Sequence, residues 1–303
     1  MSEQLKIGLI GAGVFAGYHA NKLAAHPRVS FSGVIDSHGE KAEKLADLHS
    51  VAALPFSDLL ERSDALVIAS PAVTHGSIAV QALKAGCHCL IEKPLTISAL
   101  DADEIITLAA SKNLTVQVGH QERLVIRAIG LMDVAERPVK IEAVRNSPYT
   151  TRGTDTSVTL DLMSHDIDLC TALFAAAPDA VEARAQRVKS DTPDKAEAVL
   201  TYGKSNAILS SSRVETRSTR RMKITYPSGV VEIDFNAKTL THTTPFALNA
   251  DFAEDERAKD SLGAATDIFV RAILEKTPVL VTAEEGAIAV LTALQIDGAL
   301  KRS

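Results

Sequence analysis

Lys93 stands directly before Pro94, at the end of the apolar run Cys87–Glu92. A residue before proline is biased to an extended conformation. In an open α/β sheet the carboxyl ends of the strands are where ligands bind. A ligand-facing lysine and a solvated loop lysine both fit this position. A second group is Asp161 and His165, four residues apart inside the stretch Leu160–Phe174, so a helix places them on one face. At about 100° per residue, Leu160, Met163, Ile167, Cys170 and Phe174 form one apolar stripe, and Leu162, Leu169 and Leu173 a second. Asp161, His165 and Asp168 share a third, polar stripe. A histidine titrates near neutrality and suits proton transfer at pH 7, while a solvated helix face explains the same pattern. Asp166 falls between the apolar stripes, so it is expected to be buried and paired.

The third group opens the chain. An apolar run, Leu5 to Ile10, ends in Gly11-Ala12-Gly13-Val14-Phe15-Ala16-Gly17. Gly11 permits a tight turn, and Gly13 has no Cβ to block a pyrophosphate. The helix that follows, entered through Val14 and Phe15, offers free N–H groups and a positive dipole end to that phosphate. Val34-Ile35-Asp36 is a second apolar run ending in an acid, at the spacing of a ribose contact. The Asp36 carboxylate would accept hydrogen bonds from a ribose 2′-OH and repel a 2′-phosphate, which favours NAD. Ser37, His38 and Lys41 nearby soften that repulsion and leave NADP open. Cys87-His88-Cys89 does not read as a metal pair. Alternate strand residues point to opposite faces, and no second ligand pair follows at zinc spacing. Core packing is the expectation there.

These residues need elements to hold them. Up to about residue 118, strands (Lys6–Ile10, Phe31–Ile35, Ala65–Ala69, Cys87–Glu92, Thr115–Gly119) alternate with helices (Tyr18–Ala25, Glu40–Leu48, Ser77–Ala85, Ala99–Ser111). That alternation predicts a parallel, doubly wound α/β sheet over residues 1–120. Residues 121–303 read as an α+β domain: a helix to about Ala135, the strand Val139–Val144, the helix Leu160–Phe174, then strands Val181–Val188, Ala196–Tyr202, Ala207–Thr216, Arg221–Tyr226 and Val230–Phe235. Short turns such as Pro227-Ser228-Gly229 make this second sheet mostly antiparallel. Helices Lys259–Lys276 and Ala283–Leu300 follow. Arg213, Glu215, Arg217, Arg221 and Lys223 alternate, which predicts one charged sheet face if the strand runs on.

Several motifs together now point to one family. Ala69-Ser70-Pro71 with His75 follows the third strand, Glu92-Lys93-Pro94 ends a later one, and Asp161-Leu162-Met163-Ser164-His165-Asp166-Ile167-Asp168 lies in the second domain. Gly119-His120-Gln121-Glu122-Arg123 joins the two halves. The set resembles the Gfo/Idh/MocA family of glucose–fructose oxidoreductase, inositol dehydrogenase and their relatives, over almost the whole chain. Leu124-Val125-Ile126 and Ala72 depart from the family pattern. The resemblance implies oxidation of a secondary alcohol of a sugar, cyclitol or sugar derivative, with the hydride passing to nicotinamide. His165 would take the hydroxyl proton, Lys93 would hydrogen-bond the reacting hydroxyl, and Asp161 would orient the histidine or the substrate. Ser70, Pro71, His75, Glu92 and Lys93 join Gly11, Gly13, Val14, Phe15 and Asp36 on the cofactor side. Gln121 and Arg152 join Lys93, Asp161 and His165 on the substrate side.

A net charge of −6 argues against nucleic acid and anionic membranes as partners. Three cysteines make no disulfide framework, and no leader or spanning segment is evident, so a cytoplasmic enzyme is expected. Relatives associate through the second-domain sheet, which implies a homodimer or homotetramer. Two other functions share these residues: a glycosidase that oxidises its substrate transiently with retained NAD, and a non-catalytic NAD-binding sensor.

Overall fold

The structure, a computed structural model, describes residues 4–151 and 153–300. In chain order the first elements are β1 (Leu5–Ile10), α1 (Val14–Ala25), β2 (Val29–Ile35), α2 (Gly39–Leu48), α3 (Phe56–Arg62), β3 (Ala65–Ile68), α4 (Ala72–Lys84), β4 (His88–Ile91), α5 (Ala99–Lys112) and β5 (Val116–Val118). Then come α6 (Glu122–Ile129), β6 (Lys140–Asn146), a π-helical turn over Thr159–Met163, and α7 (Ser164–Phe174). Strands β7 (Ala180–Gln186), β8 (Lys195–Tyr202), β9 (Ser205–Ser212), β10 (Thr219–Tyr226), β11 (Gly229–Asp234) and β12 (Thr239–His242) lead to α8 (Glu256–Lys259), α9 (Ser261–Glu275) and α10 (Ala283–Asp297).

The chain forms two compact units. One comprises residues 1–121 with 260–287, the other residues 122–259 with 288–303. In the first, five strands run in the order β2-β1-β3-β4-β5, and every pairing is parallel. Strand succession reverses beside β1, so the carboxyl ends of β1 and β3 flank the crevice where such sheets take ligands. The expected α/β doubly wound sheet is therefore present. A cut at residue 120 differs from these units in one respect: α9 packs on α1 in the first of them. Phe269, Val270 and Ile273 share one core with Ala16, Ala20 and Leu23. Burying each of those three large side chains is worth about 1.5–3 kcal/mol. No local signal in α9 marks it as part of a unit that began so much earlier.

The second unit has a seven-stranded sheet in the order β12-β11-β10-β6-β9-β8-β7. It is antiparallel except where β6 runs parallel to β9. Tyr226 pairs with Gly229 across the expected hairpin turn. Helices α3 and β-strand β12 were not anticipated, being short and weakly patterned. The stretch expected as one helix to Ala135 ends at Ile129, because Gly130 turns the backbone to φ +93°. The helix expected over Lys259–Lys276 is α9, and it starts at Ser261 because Asp260 caps it, its side chain accepting from the Gly263 N–H.

Two expectations about charged residues are corrected. The π turn adds a residue to its helical turn, so a uniform 100° stripe does not run through residues 160–174. Asp168, beyond that turn in regular α7, lies on no solvent face for a different reason: it is 1% exposed and takes a fork from Arg123 at 2.8 and 2.9 Å. The row from Arg213 to Lys223 is not one strand face either, since β9 stops at Ser212 and β10 starts at Thr219. Arg213 is buried instead, donating to Asp194 Oδ1 and to the carbonyls of Gly153 and Thr156. Only Arg221 and Lys223 remain on the open face.

Asp194 is fully buried and saturated with donors. Its Oδ2 accepts the backbone N–H groups of Val188, Lys189 and Ser190 at 2.7, 2.6 and 3.0 Å. Burial opposes the charge, but these donors and the Ser190 hydroxyl outweigh it and hold the carboxyl well below its ordinary 3.8. A folded-state pKa below the unfolded one gives stability that is present above pH 3.8 and lost as pH falls through the folded value. Denaturant titrations at pH 7 and pH 3 should therefore show Asp194→Asn weakened at both, somewhat more at pH 7, with a flatter acid dependence than the parent.

Candidate functional site

In the first unit the candidate residues gather at the carboxyl ends of the parallel strands. Gly11 ends β1 with φ +111°, and a Cβ there would sit 2.6 Å from the Ala69 carbonyl oxygen, so the turn requires glycine. Its N–H donates to Ile35 O at 2.7 Å, tying the turn to the end of β2. Gly13 stands at the N-cap of α1, and a Cβ built on it meets nothing within 4 Å, which leaves the helix N-terminus open to a phosphate. Val14 and Phe15 follow with exposed side chains, and Phe15 packs edge-on against Tyr18 and His19.

Asp36 is held in place from two sides. Its Oδ2 accepts the Ala12 N–H at 2.7 Å and its Oδ1 the His38 N–H at 2.8 Å. Burial pushes the carboxyl up, yet the His38 and Ala12 hydrogen bonds prevail and lower its pKa, so it is ionised at neutral pH. A fixed carboxylate at the end of β2, an open helix N-terminus and a glycine turn between them fit a dinucleotide with a free 2′-OH. NAD bound there would be held by Gly11, Gly13 and Asp36.

The ends of β3 and β4 are joined by His75. This side chain is 1% exposed, with Nδ1 2.7 Å from Pro94 O and Nε2 2.9 Å from Ser70 O. Pro71 occupies the N-cap of α4, and the Ser70 and Thr74 hydroxyls are 2.7 Å apart. Glu92 is nearly buried: its Oε1 lies 2.8 Å from His19 Nε2 and accepts Gln121 Nε2 at 3.1 Å, and its Oε2 accepts the Lys93 N–H at 3.3 Å. Lys93 itself is half-buried, with a cis peptide to Pro94. Cys87 and Cys89 are buried, as core packing requires, and burial raises both thiols. No cluster able to hold a metal ion occurs among the described residues.

In the second unit Asp161 lies in the π turn and His165 in the first turn of α7. Both are half-buried, whereas Asp166 and Asp168 on the same segment are buried. The Gly153 backbone comes so close to Asp161 that a Cβ would lie 3.1 Å from its Oδ2. Two arginine forks hold the segment just after His165. Arg123 of α6 grips Asp168, and Arg145 of β6 grips Asp166 at 2.8 and 3.0 Å. Arg145 also reaches both oxygens of Glu122 at 2.9 and 2.6 Å, and Arg220 of β10 donates to the same carboxylate. Asp166 is thus buried and paired, as its position between the apolar stripes required; burial pushes its carboxyl up against the pull of Arg145. His165 stands directly before this doubly held segment. Arg152 lies outside the described residues.

His19, Arg145 and Arg220 escaped the reading of the sequence, and Glu122 was read only as part of the segment that joins the two halves. Arg145 and Arg220 stand in alternating strands that carry other charges, and nothing local says that one face is buried.

Comparison with known proteins bears on the whole chain. Residues 5–120 match the family model of an oxidoreductase family with an NAD-binding Rossmann fold, GFO_IDH_MocA, and residues 135–232 match the GFO/IDH/MocA C-terminal domain. The chain is 35% identical over 303 aligned residues to UDP-N-acetylglucosamine 3-dehydrogenase of Acidithiobacillus ferrooxidans, covering 96% of each. A solved structure of that dehydrogenase superimposes with a TM-score of 0.89 at 33% identity, covering 98% of both chains. Scyllo-inositol dehydrogenase from Lactobacillus casei, solved with NAD(H) and scyllo-inositol, shares the fold with a TM-score of 0.80 at 22% identity, over 98% of this chain and 97% of that one. The chain belongs to the Gfo/Idh/MocA family of oxidoreductases, with that family's NAD-binding Rossmann fold at its N-terminal end.

Proposed function

We propose that this protein is an NAD-dependent dehydrogenase acting on a secondary hydroxyl of a nucleotide-linked N-acetylhexosamine, with C3 of the sugar as the oxidised carbon. The observation that carries the reading is full-length similarity to UDP-N-acetylglucosamine 3-dehydrogenase in a chain that carries Lys93, Asp161 and His165. NAD, when bound, supplies the hydride acceptor. His165 takes the hydroxyl proton, Lys93 donates a hydrogen bond to the hydroxyl oxygen, and Asp161 orients the histidine or the substrate. The two forks under α7 keep His165 from wandering, which matters because a small misplacement of a reacting group is costly in rate. Run in reverse, the same groups reduce a ketone.

The three free cysteines are buried, and no helix among the described residues is long and apolar enough to cross a membrane. The burial of the free thiols supports a cytoplasmic setting. A homodimer or homotetramer is supported by the open face of the seven-stranded sheet. There Val144, Val199 and Ile208 are exposed among Glu142, Lys223 and Glu232, a surface suited to a second copy.

The test is purified protein with NAD or NADP against UDP-N-acetylglucosamine, scyllo-inositol and glucose 6-phosphate, following the absorbance of reduced nicotinamide. Turnover of the nucleotide sugar with NAD is the expected result. Turnover of inositol alone overturns the substrate class, and tight NAD binding without net reduction points to the transient-oxidation glycosidase or the sensor. In the same assay Asp36→Ser should narrow the preference for NAD over NADP by roughly tenfold or more, the worth of a lost charged hydrogen bond of about 1.5–3 kcal/mol.

A further inference from the structure

His19 is a buried histidine on the helix that follows the glycine turn, and its one recorded polar contact runs to Glu92, at the end of another strand. We propose that Glu92 is not a ligand for cofactor or substrate but a clamp that sets the position of Lys93, with His19 and Gln121 as the residues that position the clamp. The inference rests on the dehydrogenase reading for its consequence in catalysis, and on geometry for the clamp itself.

Three segments converge on the one carboxylate. His19 Nε2 reaches Oε1 from α1, Gln121 Nε2 donates to Oε1 from the segment after β5, and the Lys93 N–H donates to Oε2 from the adjoining peptide. Glu92 is 7% exposed, so little of it is left for a ligand to meet. Room for the carboxylate comes from Gly119, where a Cβ would stand 2.8–2.9 Å from Oε1, Cδ and Oε2. Any other residue at 119 would displace the clamp. On His19 only Nε2 has a partner, since Nδ1 is buried without one, so the ring's hydrogen-bonding role is to donate from Nε2. The edge contact of Phe15 against the ring, at 5.7 Å between centroids, keeps the imidazole from turning away. A buried carboxylate that accepts several donors is a rigid part, and the lysine that follows it in sequence inherits that rigidity.

The experiment compares His19→Phe, which keeps a ring and removes the donor, with His19→Gln, whose amide restores a donor at similar reach. Two readouts are taken on the whole protein. Exchange of the Lys93 amide hydrogen, followed by NMR, should be at least tenfold faster in His19→Phe and close to the parent in His19→Gln. With whichever substrate turns over, kcat should fall about a hundredfold in His19→Phe, with KM and NAD affinity within threefold, and most of the loss should return in His19→Gln. Unchanged exchange at Lys93 in His19→Phe overturns the clamp. So does a glutamine variant as slow as the phenylalanine one, or a loss confined to NAD affinity. The exchange measurement needs no substrate, so a panel without turnover sinks the proposed function while the clamp is still decided.

Discussion

His165→Asn should lower kcat for NAD reduction by about 10²–10⁴-fold, the usual worth of a positioned general base. NAD affinity should not move, because the substitution lies outside residues 5–120, which match the NAD-binding model. KM should stay near its parent value, so that kcat and kcat/KM fall together, the signature of an interaction made only in the transition state. Asparagine keeps a polar group of similar reach but cannot hold the proton. Lys93→Ala should give a loss of comparable size. The double variant should be little slower than the worse single one, since residues acting on one proton are strongly non-additive. A histidine variant that retains a third of its activity would remove His165 from the reaction. Steady-state kinetics and calorimetric titration of NAD decide the matter.

The largest stability effect is expected at Arg145. Its guanidinium is 2% exposed by residue and serves two carboxylates, Asp166 and Glu122. Burial opposes its charge, but Asp166 and Glu122 prevail and hold its pKa above the ordinary value. Arg145→Met leaves Asp166 buried without its counter-charge, and breaking such a pair costs about 3–5 kcal/mol. At about 2–4 °C per kcal/mol for a chain of this order of size, Tm should fall by roughly 6–20 °C. Glu122 loses less, because Arg220 still reaches it. The paired substitution Arg145→Met with Asp166→Leu removes the orphaned charge and should be more stable than Arg145→Met alone. Thermal melts of the two variants check the coupling; equal Tm values would mean that Asp166 does not depend on Arg145.

Most of the first sheet was legible because its signals are local. The run Leu5–Ile10, the glycines at 11 and 13, and Asp36 after Val34-Ile35 each state their role within a few residues. Short motifs singled out Lys93, Asp161 and His165 as well, and the chemistry assigned to them came from the family resemblance those motifs carry. What escaped was everything decided by distant partners. His19 meets Glu92 across 73 positions and Arg123 meets Asp168 across 45, and no window of sequence contains both members of either pair. Asp168 was misplaced because the partner that buries it, Arg123, stands on another helix. Arg213 read as part of an exposed row because the strand was carried past Ser212, where the chain instead turns and buries it against Asp194.

The chain passes between its two units after residues 121, 259 and 287. For synthesis this imposes a waiting time. When β5 leaves the ribosome the nucleotide-binding unit has all its strands, but the core that Ala16, Ala20 and Leu23 share with those strands stays unfinished until Phe269, Val270 and Ile273 have been made. From Val118 to Glu275 that interval is roughly 8–30 s at about 5–20 residues per second. During it an apolar helix face stays open to water on a nascent, half-built domain, the kind of surface that chaperones hold and that aggregation exploits. A gene fragment ending at residue 120 makes the waiting state permanent.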